Sequence, residues 1–139
     1  MKKIGLTGGI GTGKTYVAKI FQKFGIPVFC ADTNAKELLQ TNPKLINQVS
    51  KEFGSNIYIE GVLQSKELAD IVFSDKSMLV KLNKLVHPYV NQSFISWCTN
   101  QESNLVIKEA AILFESNANI DLDIIICVSA PLEIRIKRV

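Results

Sequence analysis

Residues 8–15 read GGIGTGKT, a complete GxxxxGK[ST] pattern, and this stretch decides how the rest of the chain is interpreted. The apolar run IGLT precedes it at residues 4–7, and the helix-like run YVAKIF follows at residues 16–21. A strand, a glycine-rich loop and a helix in this order form the context in which such a loop binds phosphate. The pattern therefore predicts a P-loop, with a glycine-rich turn that binds nothing as the alternative.

Each residue type in this loop has a mechanical reason to be there. Glycines allow positive φ and a close approach of the backbone, so that successive N–H groups form an anion nest beside the first turn of the helix. Lys14 supplies a point charge for the β and γ phosphates, and the Thr15 hydroxyl suits a ligand of Mg²⁺. We expect the contacts to ATP to come from Gly9, Ile10, Gly11, Thr12, Gly13, Lys14, Thr15 and Tyr16.

Composition limits the classes of function. The 139 residues predict a single domain, and the net charge of +3 does not indicate a nucleic-acid partner. The sequence has no apolar run of about 18 to 20 residues, so no membrane association is expected. Three widely spaced cysteines fit reduced thiols better than disulfides or a zinc site. We therefore expect a cytoplasmic, soluble protein, whose oligomeric state stays open.

Apolar spacing predicts a doubly wound α/β fold with a parallel sheet, because strands alternate with helical crossovers. Strands are expected over residues 4–7, 26–30, 105–109 and 123–128, the last buried on both faces. Helical spacing extends over residues 33–40, 43–53, 66–73 and 76–98, and Pro88 is expected to break the last of these into two helices. We predict one P-loop kinase domain over residues 1–139, with a helical substrate-side insertion over residues 33–104.

Two carboxylates are predicted where strands end, which is the edge of a parallel sheet that binds ligands. Asp32 follows the second strand, and its alternative role is the N-cap of a helix beginning near Thr33. Glu109 ends the third strand and is a candidate Mg²⁺ ligand, with a solvated charge as the alternative. His87 is either a helix-boundary residue or a substrate contact.

A resemblance becomes specific when the motifs are taken in order. The blocks GLTGGIGTGKT at residues 5–15, FGIPV at 24–28 and AD at 31–32 resemble the dephospho-CoA kinase family. Further blocks resemble it at residues 61–63 (GVL), 68–73 (LADIVF), 82–88 (LNKLVHP), 112–115 (ILFE) and 128–131 (VSAP). The resemblance covers nearly the whole chain.

This resemblance implies transfer of the ATP γ-phosphate to the ribose 3′-hydroxyl of dephospho-CoA, the last step of coenzyme A biosynthesis, with Mg²⁺. On the matching positions Lys14 and Asp32 would be catalytic, Asp32 orienting or deprotonating the hydroxyl. Asp32, His87, Phe114 and Glu115 would lie near the acceptor. Thr15 and Glu109 would serve the metal.

The same resemblance gives an expectation about the C-terminus. In this family the basic residues near position 138 would begin an arginine-bearing lid, followed by a further strand and helix, so the chain looks truncated before the lid. The last predicted strand would then lie at an open sheet edge. The alternatives are a nucleotide-binding remnant without turnover, another P-loop small-molecule kinase or, less well supported, a regulatory P-loop GTPase.

Overall fold

A computed structural model describes residues 1–111 and 121–139 of the chain. Helices and strands alternate at its two ends, and helices dominate its middle. In chain order the elements are β1 (Lys2–Gly8), α1 (Lys14–Lys23), β2 (Val28–Cys30), α2 (Ala31–Thr41), α3 (Pro43–Phe53), a 3₁₀ turn (Ser55–Ile57), β3 (Tyr58–Ile59), β4 (Val62–Leu63), α4 (Ser65–Ser74), α5 (Lys76–Thr99), β5 (Leu105–Glu109), β6 (Ile124–Val128) and α6 (Leu132–Arg138).

The described residues divide into two compact units, Met1–Asp32 with Ser93–Val139, and Thr33–Gln92. The first unit holds a four-stranded parallel sheet in the order β2-β5-β1-β6. The four predicted strands and the predicted α/β class are confirmed, with strand ends displaced by no more than two residues. The domain boundaries given in the sequence analysis stay a prediction.

Helical residues cover the sheet on both faces, as a doubly wound fold requires. Adjacent strand residues point to opposite faces, so Ile107 and Lys108 of β5 lie on opposite faces of the sheet. On one face Ile107 joins Leu6 and Ala18 in a core against α1. On the other face Phe94 of α5 packs 5.3 Å from Phe29 of β2, measured between ring centroids.

Lys108 lies on that second face and is almost completely buried, with 2% of its surface exposed. Its ammonium nitrogen lies 5.0 Å from the centre of the Phe94 ring, within the range of a cation–π contact. Burial lowers the pKa of the Lys108 side chain, and the charges of Asp121 and Cys98 oppose that shift. The sheet therefore holds a lysine side chain inside its aromatic layer.

Strand β6 differs from the prediction of a strand buried on both faces. Ile124 is 51% exposed and Cys127 is exposed. The prediction was wrong because β6 is the last strand in the order of the described sheet. Within that sheet its one neighbouring strand is β1. An apolar run of β-branched residues does not distinguish a central strand from an edge strand.

The second unit, Thr33–Gln92, is mainly helical, and its predicted helices are confirmed. In α3 the buried residues Leu45, Val49 and Phe53 recur at every fourth position, so they form one face. Asn42 caps this helix, because its Oδ1 accepts a hydrogen bond from the Leu45 N–H at 3.0 Å. Pro43 follows at the first helical position, where its missing N–H leaves no helical hydrogen bond unmade.

Helix α5 runs through Pro88 without a break, so the predicted division at that residue was wrong. A proline inside a helix removes one hydrogen bond and costs roughly 3 kcal/mol. Val86 and Val90 are both buried at 7% exposure on either side of it, within the same unit. Burying two such side chains contributes roughly 1.5–3 kcal/mol each, which offsets that cost.

A two-stranded hairpin in this unit was not predicted. Strands β3 and β4 pair in antiparallel fashion around Glu60 and Gly61, which both have positive φ, 51° and 80°. Glutamate rarely adopts such a φ, so Glu60 and Gly61 indicated a loop but not the turn of a hairpin. The Gln40 side chain holds the hairpin from outside, donating to the Gly61 carbonyl at 2.7 Å and accepting from the Leu63 N–H at 3.0 Å.

Among the described residues, no helix is both long enough and apolar enough to cross a membrane.

Candidate active site

The GxxxxGK[ST] loop connects the end of β1 to the start of α1. Gly11 and Gly13 have φ of 76° and 91°, values that favour glycine. The Gly9 carbonyl accepts hydrogen bonds from the Thr12 N–H at 3.3 Å and from the Thr12 hydroxyl at 2.8 Å. These contacts close the turn, and Thr12 is buried beneath it.

A cavity of about 360 Å³ opens at this loop, lined by residues 8–16 together with Ala111 and Arg138. It meets the first turn of α1, where N–H groups have no partner inside the helix and the helix dipole is positive. Such a cavity is chemically suited to an anion, and its depth along the loop suits several linked phosphates. The eight residues predicted to contact ATP, 9–16, all line it.

Lys14 places its ammonium group between two carboxylates. Its Nζ lies 3.9 Å from Asp32 Oδ2 and 4.0 Å from Glu109 Oε1, the outer limit for an ion pair. The Lys14 and Glu109 side chains are 13% and 10% exposed, whereas that of Asp32 is 56% exposed. The two carboxylates therefore meet the lysine that lines the cavity, and the long distances leave Lys14 able to turn toward a phosphate.

Strand pairing explains why these carboxylates meet. Cys30 at the end of β2 is the register partner of Glu109, and Leu6 of β1 is its partner on the other side. All three strands are parallel, so their carboxyl ends lie at one edge of the sheet. Asp32, two residues beyond Cys30, reaches the same edge. This juxtaposition follows from the fold class that the sequence predicts.

Glu109 is buried, with 7% of its surface exposed, so the alternative of a solvated charge is wrong. Its Oε1 accepts a hydrogen bond from the Thr15 hydroxyl at 3.2 Å. A hydroxyl and a carboxylate oxygen side by side are the hard ligands that Mg²⁺ takes in nucleotide sites. The donor set at this position fits that ion.

Asp32 lies inside the first turn of α2, which begins at Ala31, so its alternative as the N-cap of a helix beginning near Thr33 is wrong. Its Oδ2 accepts a hydrogen bond from the Ala111 N–H at 3.3 Å. Ala111 also lines the cavity, and its carbonyl accepts from the Thr7 hydroxyl at 3.3 Å. Ala111 thus orients Asp32 beside Lys14, a contact that the sequence analysis missed.

Three further residues, His87, Phe114 and Glu115, were predicted to lie near the acceptor. His87 belongs to the Thr33–Gln92 unit, where it is half-buried and its Nε2 lies 3.4 Å from Asn91 Nδ2. His87 is inside α5, so its alternative as a helix-boundary residue is wrong. Phe114 and Glu115 lie outside the described residues. The roles of all three stay predictions.

Two arginines of α6 contact the loop directly. Arg135 Nε donates to the Ile10 carbonyl at 2.9 Å, and Arg138 Nη1 donates to the Gly11 carbonyl at 3.1 Å. From the sequence, the basic residues of α6 were expected to begin a lid, and these contacts to the loop were not predicted. The available signal was their spacing, since residues three apart share a helix face.

Comparisons with known proteins agree with this geometry. A family model described as dephospho-CoA kinase matches residues 2–139. Dephospho-CoA kinase from Porphyromonas gingivalis is 40% identical over 138 residues, covering 99% of this chain and 68% of the relative. The enzyme of that name from Chlorobium chlorochromatii is 41% identical over 143 residues, covering 97% of this chain and 68% of the relative.

Solved structures are similar over nearly the whole chain. TT1252 from Thermus thermophilus matches with a TM-score of 0.83 and 33% identity, covering 99% of this chain and 70% of that one. Dephospho-CoA kinase from Campylobacter jejuni matches with a TM-score of 0.65 over 99% of this chain and 95% of that one, and at 18% identity it supports the fold alone. With the family model and these relatives, the chain belongs to the dephospho-CoA kinase family.

Proposed function

We propose that this chain transfers the γ-phosphate of ATP to the ribose 3′-hydroxyl of dephospho-CoA, which completes coenzyme A. The observation that carries the proposal is the placement of Lys14 Nζ within 4.0 Å of both Asp32 and Glu109 at a phosphate-binding loop. One cation and two carboxylates at a nest of N–H groups supply what phosphoryl transfer asks of a protein, namely positioning and charge stabilisation. We place the reaction in the cytoplasm, where ATP is available.

Asp32 is the residue we assign to the acceptor hydroxyl. Its side chain is 56% exposed, so a substrate can reach it, while the hydrogen bond from the Ala111 N–H fixes one of its oxygens. The carboxylate orients the hydroxyl and accepts its proton as the oxygen attacks the γ-phosphorus. Lys14 turns from the carboxylates to the β and γ phosphates and offsets the charge that develops on the leaving ADP.

Thr15 and Glu109 are the residues that we propose hold Mg²⁺. A metal held there would neutralise part of the charge of the β and γ phosphates. Thr15 offers a hydroxyl at the start of α1, and the buried Glu109 carboxylate lies 3.2 Å from it. His87, Phe114 and Glu115 remain our candidates for contacts to the acceptor.

The experiment that tests this function measures CoA formation by the purified chain with ATP, Mg²⁺ and dephospho-CoA. Asp32→Asn should lower kcat by roughly 10²-fold or more and leave the affinity for ATP nearly unchanged, as expected for a lost general base. Asp70→Asn makes the same chemical change at an exposed position of α4 and serves as the control.

Two results would contradict the proposal in different ways. A near-normal kcat in Asp32→Asn would reduce Asp32 to a structural residue. A wild-type chain that binds ATP through Lys14 but forms no CoA would instead be a nucleotide-binding protein without turnover.

A further inference from the structure

Helix α6 contacts the phosphate-binding loop through Arg135 and Arg138, and Arg135 is the half-buried one of the two. Of its seven residues, six are exposed, and Arg135 is the exception. Arginine is among the residue types that usually stay exposed, so its partial burial on an otherwise exposed helix needs a specific contact. That contact is the hydrogen bond from Arg135 Nε to the Ile10 carbonyl at 2.9 Å.

Arg135 approaches two glycines of the loop so closely that a larger residue would collide with it. A Cβ atom at Gly9 would lie 2.5 Å from Arg135 Nη2, and one at Gly11 would lie 2.6 Å from the Arg135 carbonyl oxygen. Both distances are too short for real Cβ contacts. Gly9 and Gly11 therefore accommodate α6 as well as a phosphate ligand.

The hydrogen bond also determines how one peptide group of the loop is turned. A trans peptide directs its C=O and N–H groups to opposite sides, and the described residues contain no cis peptide. With the Ile10 oxygen directed at Arg135, the Gly11 N–H points away from α6. Gly11 tolerates either sign of φ, so without a donor at Ile10 this peptide can rotate and present its oxygen to an anion.

We propose that Arg135 is a positioning residue, which holds the Ile10–Gly11 peptide with its N–H group directed toward the nucleotide phosphates. Arg138 lines the cavity and donates to the carbonyl of the next peptide, at Gly11, whereas Arg135 holds the Ile10–Gly11 peptide itself. The inference rests on the proposed function, because it concerns the same nucleotide site. It assigns to α6 a part in forming the anion nest.

The test measures the dissociation constant of Mg²⁺-ADP by titration calorimetry. Arg135→Ala should weaken binding about tenfold, the size expected for a partly exposed hydrogen bond with a charged donor, and Arg135→Lys should restore part of it. Lys137→Ala removes the same charge from an exposed position of the same helix, so it should leave binding unchanged. Equal weakening by Lys137→Ala and Arg135→Ala would overturn the proposal in favour of long-range charge.

Two further measurements separate positioning from a structural role. The ¹⁵N shift of the Gly11 amide should move in Arg135→Ala without nucleotide, while the thermal midpoint stays near that of wild type. A cycle with Gly9→Ala should be non-additive, because the added methyl group displaces the same guanidinium. An unmoved Gly11 amide or an additive cycle would overturn the inference.

Lys14→Ala distinguishes this inference from the function on which it rests. If Lys14→Ala binds Mg²⁺-ADP as tightly as wild type, the proposed nucleotide site fails. If Lys14→Ala loses binding while Arg135→Ala keeps it, only the role of Arg135 fails.

Discussion

Lys14 has two carboxylate neighbours rather than one, and the length of both contacts decides how firmly its charge is held. A charge shared between two partners near 4 Å is held loosely, since each contact is at the limit of an ion pair. A triphosphate carries more charge at shorter range and competes for the same ammonium group. The carboxylates then lose their cation, and the charge of Glu109 is available to the Mg²⁺ that we propose it holds.

Glu109→Gln tests the role of this charge. The amide keeps the size of the side chain and can still meet the Thr15 hydroxyl, but it loses the charge. We expect the Mg²⁺ concentration for half-maximal rate to rise by about 10- to 100-fold, the range for losing a group that supports a metal. The measurement is the initial rate as a function of Mg²⁺ at saturating ATP.

Glu102→Gln, an exposed position just before β5, is the matched control for this series. An unchanged Mg²⁺ dependence in Glu109→Gln, accompanied by a lower melting temperature, would make Glu109 a structural partner of Thr15 and Lys14.

The candidate site could be predicted at residue level to the extent that its signals are local. Lys14 and Thr15 belong to a continuous motif, and Asp32 and Glu109 follow strands whose parallel pairing brings their ends together. Arg135 and Ala111 carried no such signal. Their contacts depend on how α6 and the segment after β5 return to the loop, which a local pattern does not encode.

At the scale of elements, α5 shows that packing can override a local sequence rule. Pro88 predicts a helix boundary, yet buried valines before and after it keep the helix continuous. The hairpin of β3 and β4 is the converse case, because it is a structure that the local pattern did not predict. Two-residue strands give no alternating pattern, and the amide of Gln40, about twenty residues away in sequence, supplies two hydrogen bonds to the hairpin.

The start of α5 gives a prediction about pH. Asp75 Oδ1 accepts from the Ser77 N–H at 2.9 Å and from the Ser77 hydroxyl at 2.7 Å. These hydrogen bonds, the side-chain one first, lower the pKa of Asp75. A lowered pKa means that the stabilisation is complete above the ordinary aspartate value of about 3.9 and is lost as the pH falls through the folded-state value.

Asp75→Asn should therefore have a lower free energy of unfolding than wild type at neutral pH. The difference should shrink below about pH 4, where the wild-type carboxylate gains its proton. Urea unfolding between pH 7 and pH 3 measures this difference directly. A difference that stays constant across the range would show that the charge of Asp75 does not stabilise the helix.

At the scale of the whole molecule, the fold class was predictable because it depends on the order of apolar runs. Strand, loop, helix and strand succeed one another with spacings that admit few topologies, and the parallel sheet follows. Burial along β6 did not follow from its apolar run, because the position of a strand in the sheet is a non-local property, and only the family resemblance gave the expectation of an open edge. The same run IIICV would read identically in the middle of the sheet.

The position of β6 gives the last prediction. Within the described residues it ends the sheet on one side, with five residues of backbone along that edge and Ile124 51% exposed. An exposed apolar edge strand is a template for pairing with another chain, and a lysine there discourages it. We expect the chain to self-associate as its concentration rises, and Ile124→Lys to reduce that association in sedimentation velocity measurements. Ile136→Lys places the same charge on α6, where the isoleucine is 65% exposed, and should reduce it less. If Ile136→Lys has the larger effect, association proceeds through the helix, and if wild type stays monomeric throughout, the edge of β6 does not pair.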